Sequence, residues 1–344
     1  MSPKRKIAIV TGGAGFIGSH MVELLLSKGL EVRVIDNLTG GRLANLDHLK
    51  TNPHLRIETR DIRSFQAADK LFKGAEYVYH FAGKGDIVPS ITQPMEYMSV
   101  NVMGTINMLE CARASGVKMF MYAASSSCYG LATQLPTQET TAVKPEYPYA
   151  LSKYQGEQAV LHWGSVYKLP VNSIRIFNTY GPRSRTTGAY GAVFGVFLAQ
   201  KLNNKPFTVV GDGKQTRDFI YVGDLVEAFH TVSICGQTQQ VYNVGAGKPQ
   251  AVNRLVELLG TNHKVVHLPK RPDEPDCTWA DISKITSETP WRPKVSFEEG
   301  VGKMLSVIDY WMDAPVWDQA SIKAATHDWF EYLSDSKPQE NKAG

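Results

Sequence analysis

Seven residues near the start of the chain constrain its fold more than any other feature. The run Gly12-Gly13-Ala14-Gly15-Phe16-Ile17-Gly18 follows an apolar, strand-like segment at 6–11 and precedes a helical pattern at 19–28. Glycines at these positions allow a tight turn between a strand and a helix. The start of the helix then offers free N–H groups and the positive end of its dipole, which suit a phosphate. The run therefore predicts a strand–turn–helix unit with a pyrophosphate at the turn.

Short apolar runs alternate with helical patterns through the first half of the chain. We predict strands at 6–11, 31–35, 55–59, 77–81, 119–123 and 171–177, and helices at 19–28, 94–115 and 148–167. Such alternation is typical of parallel βαβ units. The predicted fold class is α/β, with a Rossmann-type doubly wound parallel sheet whose ligand lies at the carboxyl ends of the strands.

An acidic residue ends the second predicted strand. Asp36 lies where a carboxylate can accept hydrogen bonds from both ribose hydroxyls of an adenosine. Because the same carboxylate would repel a 2′-phosphate, the sequence favours NAD over NADP as the cofactor. Asp61-Ile62, after the third predicted strand, is a softer candidate for contact with the adenine edge.

The pattern of the chain changes after Asn178. Gly181-Pro182-Arg183 interrupts the alternation, and shorter helices and strands with longer loops follow. We therefore expect an NAD-binding Rossmann domain at 1–180. A smaller, mixed α/β substrate-binding domain would follow at 181–335, and segments of this second part of the chain could also contribute to the first domain. The polar residues 336–344 would form a tail.

Composition argues against several classes of protein. The 344 residues carry a formal net charge of +4, which is too small and dispersed to indicate nucleic-acid binding. No apolar run approaches the ~20 residues of a membrane span. The four cysteines are scattered, without a CxxC pair, which favours a reduced, cytoplasmic protein with no metal site.

A tyrosine and a lysine supply the candidate chemistry. Tyr149 and Lys153 fall on one face of a predicted helix, a short stretch downstream of Ser125-Ser126-Ser127. A nearby ammonium favours the phenolate and lowers the phenol pKa. A tyrosine tuned in this way can exchange a proton with a sugar hydroxyl, and a serine can share that proton or hold the reacting oxygen.

Taken together, the motifs resemble the extended short-chain dehydrogenase/reductase superfamily, and within it the NAD-dependent nucleotide-sugar epimerase/dehydratase family. The resemblance extends from Lys6 to about Trp311. Besides the motifs already described, it includes His80-Phe-Ala-Gly83, Asn101-Val-Met-Gly-Thr105, Ser125-Ser-Ser-Cys-Tyr-Gly130, Arg175-Ile-Phe-Asn-Thr-Tyr-Gly-Pro182, Thr216-Arg-Asp-Phe219 and Ala280-Asp-Ile-Ser-Lys284.

The resemblance implies a tightly held NAD that is reduced and reoxidised within one turnover. By position, Tyr149 takes a proton from the sugar 4-hydroxyl, Lys153 binds the nicotinamide ribose, and Ser125 holds the 4-oxygen. The implied cofactor contacts are Gly12, Gly15, Phe16, Ile17, Gly18, Asp36, Asn37, Asp61, Ile62, Phe81, Ala82, Lys84, Asn101, Tyr149 and Lys153.

The resemblance also implies that the second domain binds a nucleotide-diphosphate sugar. Arg217 and Arg271 would grip the phosphates as planar bidentate donors, and Glu274 would bind the nucleotide ribose. Thr278 leaves room for a larger C2 group such as N-acetyl. Arg183 and Arg185 either reach an anionic sugar or remain solvated. The implied substrate contacts are Ser125, Ser126, Ser127, Tyr149, Asn178, Val193, Arg217, Arg271, Glu274 and Thr278.

The expected reaction depends on the residues after Ser125. Dehydratases of the family carry an Asp-Glu pair there, whereas this chain has Ser126 and Ser127. Because a serine is a poor base for a carbon acid, we expect 4-epimerisation through a transient 4-keto sugar. The expected substrate is a UDP-hexose, UDP-N-acetylhexosamine or UDP-uronic acid. A 4,6-dehydratase or decarboxylase, and a non-catalytic NAD(H)-binding regulator, are the alternatives. The family further implies a homodimer built on the helices at 94–115 and 148–167.

Overall fold

Seven of the strands form one large parallel sheet. The computed structural model describes residues 5–184, 193–260 and 264–334. Its strands are β1 Ile7–Thr11, β2 Glu31–Asp36, β3 Leu55–Thr59, β4 Ala75–His80, β5 Met119–Ser125, β6 Val171–Ile176, β7 Asn178–Tyr180, β8 Phe207–Val210, β9 Thr216–Arg217, β10 Phe219–Tyr221, β11 Gln240–Val244, β12 Gln250–Ala251 and β13 Val265–Leu268. The order in the large sheet is β3-β2-β1-β4-β5-β6-β11, which confirms the predicted Rossmann-type α/β fold.

Helices cover both faces of this sheet. They are α1 Phe16–Ser27, α2 Pro94–Met98, α3 Thr105–Ser115, α4 Pro148–Tyr167, α5 Val193–Leu202, α6 Val222–Cys235, α7 Val252–Leu259, α8 Ser283–Glu288, α9 Phe297–Leu305, α10 Gln319–Ala325 and α11 His327–Leu333. One apolar core lies against α1 and α6, and a second lies against α3 and α4. A parallel strand buried on both faces needs apolar residues throughout, and β1 is buried along its whole length.

The helix predicted at 94–115 is divided by a wider turn. A π-helical segment, Ser99–Gly104, separates α2 from α3. A Cβ on Gly104 would lie 2.5 Å from Ile62 Cδ1, so this segment packs closely against the turn after β3 and a larger residue would displace the Ile62 side chain. The turn carries the buried side chain of Asn101, and π-helical turns often occur at functional sites.

A smaller layer has an apolar core of its own. It contains the two-stranded ladders β7–β10, β8–β13 and β9–β12. Aromatic side chains dominate its interior, among them Phe194, Phe197, Phe207, Phe219 and Trp311. Helix α10 covers this core with Ile322, which is 4% exposed.

The chain returns to the large sheet after it has entered the smaller layer. Strand β11 pairs in parallel with β6, although it lies beyond the boundary predicted between 180 and 181. Helix α6 likewise packs into the core that contains α1. The two layers are therefore interleaved along the sequence. The predicted polar tail at 336–344 lies outside the described residues.

None of the helices in the described ranges has the length and apolar character needed to cross a membrane.

Candidate active site

The glycine loop joins β1 to α1 as predicted. Gly12 has a φ of 69°, a left-handed conformation that favours glycine. A Cβ on Gly18 would lie 2.1 Å from the Gly12 carbonyl oxygen, so a side chain there would block the turn. Helix α1 begins with Phe16 and Ile17, and Gly15 caps it without a side-chain hydrogen bond. Backbone N–H groups at this helix start are the donors that a pyrophosphate needs.

Asp36 ends β2 and also shapes the glycine loop. Its carboxylate accepts the N–H of Ala14 at 3.0 Å and the N–H of Leu38 at 2.8 Å. Burial raises the Asp36 pKa, and these two hydrogen bonds lower it. The sequence indicated a ribose contact at this position. It did not reveal the bond from Asp36 to the loop itself.

Asn37 and Asp61 meet beside Asp36. Asn37 Nδ2 donates to Asp61 Oδ2 at 2.9 Å, and Arg63 pairs with the same carboxylate at 2.8 Å. The hydrogen bond from Arg63 lowers the Asp61 pKa to about 2, so this carboxylate is charged at neutral pH. Ile62 is buried directly after it.

The segment 81–84 lies between the glycine loop and Lys153. A Cβ on Gly12 would lie 2.7 Å from the backbone nitrogen of Ala82, and a Cβ on Gly83 would lie 3.9 Å from Lys153 Nζ. Phe81 packs against an aromatic ring of α6 at 4.7 Å between centroids. The structure thus brings the predicted cofactor loop and the predicted catalytic lysine to opposite sides of one short segment.

Asn101 fixes this segment to helix α4, which carries the predicted catalytic residues Tyr149 and Lys153. Its Oδ1 accepts the N–H of Lys84 at 2.8 Å, and its Nδ2 donates to Ser152 Oγ at 2.9 Å. Ser152 Oγ in turn donates to the Tyr149 carbonyl at 2.8 Å. The Lys84 ammonium donates to Gln93 Oε1 at 3.1 Å. Asn101, predicted as a cofactor contact, therefore also positions the loop relative to α4.

A buried histidine provides a second link that the sequence did not predict as functional. His80 ends β4, with Nδ1 2.6 Å from Thr11 Oγ1 and Nε2 2.9 Å from Thr105 Oγ1. Burial lowers the His80 pKa to about 3, so the ring is neutral at physiological pH. It therefore connects the strand before the glycine loop to α3 without introducing a charge. Its position in the motif His80-Phe-Ala-Gly83 was the only signal for it in the sequence.

Tyr149, Ser125 and Lys153 come together at the carboxyl end of β5. Burial raises the Tyr149 pKa, whereas a hydrogen bond with Ser125 lowers it. Burial also lowers the Lys153 pKa to about 8, and nearby Glu157 opposes this shift. Lys153 Nζ lies 4.5 Å from the centroid of the Tyr122 ring. The sequence led us to expect a lowered phenol pKa, whereas the structure raises it. Removal of Tyr149 from water disfavours the phenolate more than the neighbouring groups favour it.

Ser126 and Ser127 begin a short 3₁₀ turn, Ser126–Tyr129. The N–H of Ser127 donates to Ser125 Oγ at 3.2 Å, which orients the Ser125 hydroxyl. The Ser127 side chain hydrogen bonds to Tyr147. The ring of Tyr147 lies parallel to that of Tyr149, with 6.4 Å between centroids. Tyr147 is a site residue that the sequence did not indicate.

The two predicted phosphate-binding arginines converge on one carboxylate. Arg217 Nη2 lies 2.9 Å from Glu274 Oε1, and Arg271 Nε lies 3.1 Å from Glu274 Oε2. Arg217 and Glu274 border a cavity of about 370 Å³, together with 210–212, 214–215 and 275–276. Glu274 thus holds the two guanidinium groups near each other at the edge of an open space.

Asn178 and Thr278 form a second pair in this region. Thr278 Oγ1 donates to Asn178 Oδ1 at 2.7 Å and accepts the N–H of Asp218 at 3.2 Å. The buried Asp218 carboxylate accepts N–H groups of Ala246 and Ala280, and so joins the loops on either side. Thr278 therefore orients the predicted diphosphate contact.

Two further predicted positions have structural contacts. Val193 begins α5 and packs against the core of the smaller layer. Arg183 pairs with Glu23 at 2.6 Å and bonds to His20 Nδ1 at 2.7 Å, so it fastens this turn to α1. Arg185 lies outside the described residues.

Comparisons with known proteins agree with these features. The family described as "GDP-mannose 4,6 dehydratase" matches residues 9–304. A putative UDP-glucose 4-epimerase of Methanocaldococcus jannaschii is 34% identical over 87% of this chain and 97% of its own length. UDP-glucuronic acid decarboxylase 1 of Arabidopsis thaliana is 34% identical over 88% of this chain and 70% of its own length.

A solved structure of a known epimerase is also similar to this chain over most of its length. The UDP-glucuronic acid 4-epimerase of Bacillus cereus, in complex with UDP-glucuronic acid and NAD, superposes with a TM-score of 0.82 at 29% identity. It covers 88% of this chain and 99% of that one. With its ordered motifs, its parallel sheet and a family match over most of its length, the chain belongs to the nucleotide-sugar epimerase/dehydratase family of extended short-chain dehydrogenases/reductases.

Proposed function

We propose that this chain is an NAD-dependent 4-epimerase of a nucleotide-diphosphate sugar. The observation that carries the proposal is the placement of Tyr149, Ser125 and Lys153 at the end of β5, with Lys153 against the segment that borders the glycine loop. A phenol that exchanges a proton, placed beside a loop that binds NAD, suits a reaction in which one sugar hydroxyl is oxidised to a ketone and then reduced again.

The residues of the loop fit NAD. A Cβ at Gly12 would clash with the backbone of Ala82, and one at Gly18 with the Gly12 carbonyl, so glycine at both positions allows the tight turn at which a pyrophosphate would lie. Asp36, at the end of β2, supplies a carboxylate for ribose hydroxyls and would repel a 2′-phosphate. The residues that would contact the adenosine are Phe16, Ile17, Asn37, Asp61 and Ile62. Those that would line the rest of the cofactor site are Phe81, Ala82, Lys84 and Asn101. When bound, NAD supplies a hydride acceptor that can return the same hydride.

The side chains then divide the proton chemistry. Tyr149 takes the proton of the sugar 4-hydroxyl and later gives it back, and the Ser125 hydroxyl holds the 4-oxygen. Burial lowers the Lys153 pKa to about 8, so this side chain is mostly an ammonium at neutral pH. It would donate to the nicotinamide ribose and favour the phenolate of Tyr149, one helical turn away. The positive charge of oxidised nicotinamide would favour the phenolate further.

The arginine pair provides the site for the diphosphate. Arg217 and Arg271 present two planar guanidinium groups beside Glu274, and such planar donors match phosphate oxygens. Asn178, oriented by Thr278, adds an amide donor. Glu274 remains the candidate for the nucleotide ribose.

The serines after Ser125 favour epimerisation over elimination. Ser126 and Ser127 offer no carboxylic acid for a leaving hydroxyl and no carboxylate for the C5 proton. Decarboxylases also occur among the relatives, so decarboxylation is the second candidate reaction. Candidate substrates are UDP-hexoses, UDP-N-acetylhexosamines and UDP-uronic acids, for use in polysaccharide synthesis. Four free cysteines suit a cytoplasmic location.

A mass measurement tests the reaction directly. Purified protein incubated with a panel of UDP-sugars should convert at least one of them to an isomer of equal mass, and NAD(H) should be released on denaturation. A product lighter by one water would indicate a dehydratase, and one lighter by carbon dioxide a decarboxylase. Protein that releases no adenine dinucleotide would contradict the cofactor assignment.

We also propose a homodimer. Large apolar side chains are exposed on α2, the π turn and α4, including Met95 at 79%, Met103 at 56% and Val166 at 50%. Two such helical surfaces from two subunits would bury each other in a four-helix arrangement.

Charge placed on this face should separate the subunits. Met103→Glu should halve the mass measured by light scattering, because an unpaired carboxylate cannot be buried cheaply. The control is Met312→Glu. Met312 is 62% exposed and follows the short turn Ile308–Trp311, away from the helices at 94–115 and 148–167 in sequence, so this change should leave the mass unchanged. A wild-type monomer, or a dimeric Met103→Glu variant, would contradict the proposed interface.

A further inference from the structure

The last two helices extend beyond the segment that the family shares. The family match ends at 304, whereas α10 and α11 span Gln319–Ala325 and His327–Leu333. Trp329 on α11 is nevertheless only 4% exposed. Its burial shows that this added segment packs against the body of the protein.

The indole ring of Trp329 contacts the catalytic side of the candidate site. Its centroid lies 5.0 Å from that of Tyr147, at an angle of 55°. Tyr147 also lies parallel to Tyr149, with 6.4 Å between centroids, and its hydroxyl interacts with Ser127. Two consecutive ring contacts thus link Trp329 through Tyr147 to the phenol assigned to proton transfer.

The indole nitrogen bonds to the loop that carries Arg271 and Glu274. Trp329 Nε1 donates to the Pro272 carbonyl at 3.1 Å. Pro272 directly follows Arg271 and stands two positions before Glu274, so this bond reaches the loop that carries the arginine and its carboxylate partner. The charges of Glu274 and Arg217 both act on the Tyr147 hydroxyl: Glu274 raises its pKa and Arg217 lowers it. Phe330 of helix α11 and Ser334, which follows the helix, also border a cavity of about 730 Å³ together with this loop.

We propose that Trp329 is a positioning residue, which fixes the catalytic Tyr149 and the diphosphate-binding loop relative to each other. The proposal rests on the proposed function of Tyr149, Arg217 and Arg271. A nucleotide sugar is held at its diphosphate and reacts at C4, so the separation of these two points determines whether C4 reaches the phenol. Helix α11 therefore belongs to the active site, although it lies outside the family segment.

Two variants of Trp329 test the two contacts separately. Trp329→Ala removes both contacts, whereas Trp329→Phe keeps a ring against Tyr147 and removes only the N–H donated to Pro272. Tyr332→Ala is the matched control, because Tyr332 lies on the same helix and is 66% exposed. For each protein we would measure kcat and KM with the UDP-sugar that the wild type epimerises, the affinity for UDP by calorimetry, and the thermal midpoint.

The expected pattern is specific. Trp329→Ala should lower kcat by about 10- to 100-fold, because small misplacements of reacting groups are costly. Trp329→Phe should recover kcat to within a few-fold and still bind UDP about 3- to 10-fold more weakly, which is the loss expected for one hydrogen bond. The control should match the wild type in every measurement.

Other outcomes would overturn the proposal. A folded Trp329→Ala protein with wild-type kcat and UDP affinity, and only a lower thermal midpoint, would show that Trp329 merely stabilises the fold. If Trp329→Ala does not fold, unchanged UDP affinity in Trp329→Phe would also reject it. A wild type that epimerises no sugar would refute the proposed function instead, and the UDP measurements would still test the link to the loop.

Discussion

Replacing Tyr149 with phenylalanine should lower epimerase turnover by about 10²- to 10⁴-fold, the range typical of a lost general acid or base. The variant loses only the hydroxyl that interacts with Ser125 and that we propose exchanges a proton with the substrate. Single-turnover and steady-state rates with the best UDP-sugar would measure the loss. NAD should remain bound, because the glycine loop and Asp36 are unchanged.

A neighbouring tyrosine supplies the control for this experiment. Tyr154 lies on the same helix and is partly buried against an apolar cluster that contains Phe177 and Ala280. Tyr154→Phe should retain wild-type turnover. Turnover of Tyr149→Phe within about 10-fold of the wild type would remove Tyr149 from the mechanism.

Glu157→Ala should cost about 3–5 kcal/mol of unfolding free energy, because it leaves a buried guanidinium without its partner. Arg175 Nη2 lies 2.6 Å from Glu157 Oε1, and the two side chains are only 6% and 1% exposed. Ser173 Oγ also donates to Glu157 at 2.9 Å. Denaturant-induced unfolding followed by circular dichroism would measure the change.

The same substitution should alter the pH dependence of turnover. Glu157 opposes the lowering of the Lys153 pKa, so its loss should lower that pKa further. The ammonium would then be lost at lower pH, and the alkaline limit of activity would shift downward. Glu257→Ala, in an exposed ion pair with Arg254, should change neither property. An unchanged unfolding midpoint in Glu157→Ala would contradict the importance of the buried pair.

Local spacing in the sequence was enough to predict the first half of the fold. The glycines at 12, 15 and 18, and the strand–helix alternation around them, identify the nucleotide-binding unit because each element depends on neighbouring residues. The relation of Tyr149 to Lys153 was readable for the same reason, since both lie on one helix. The convergence of Arg217 and Arg271 on Glu274 was not predicted, although each residue was named as a substrate contact.

Features set by tertiary packing could not be predicted in this way. The direction of the Tyr149 pKa shift depends on how deeply the ring is buried, which no spacing reveals. The link from Thr11 through His80 to Thr105 joins three distant segments. Trp329 could not be identified from the sequence, because its partners Tyr147 and Pro272 lie far away along the chain.

The late entry of β11 into the large sheet bears on how the polypeptide is made. While it is being synthesised, β6 emerges well before its partner, with one row of backbone N–H and C=O groups unpaired. Such an unpaired edge, on a strand that is buried in the folded protein, can pair with other nascent chains. We therefore expect the sheet to be completed only after β11 has left the ribosome, and a translation product that ends before β11 to be prone to aggregate.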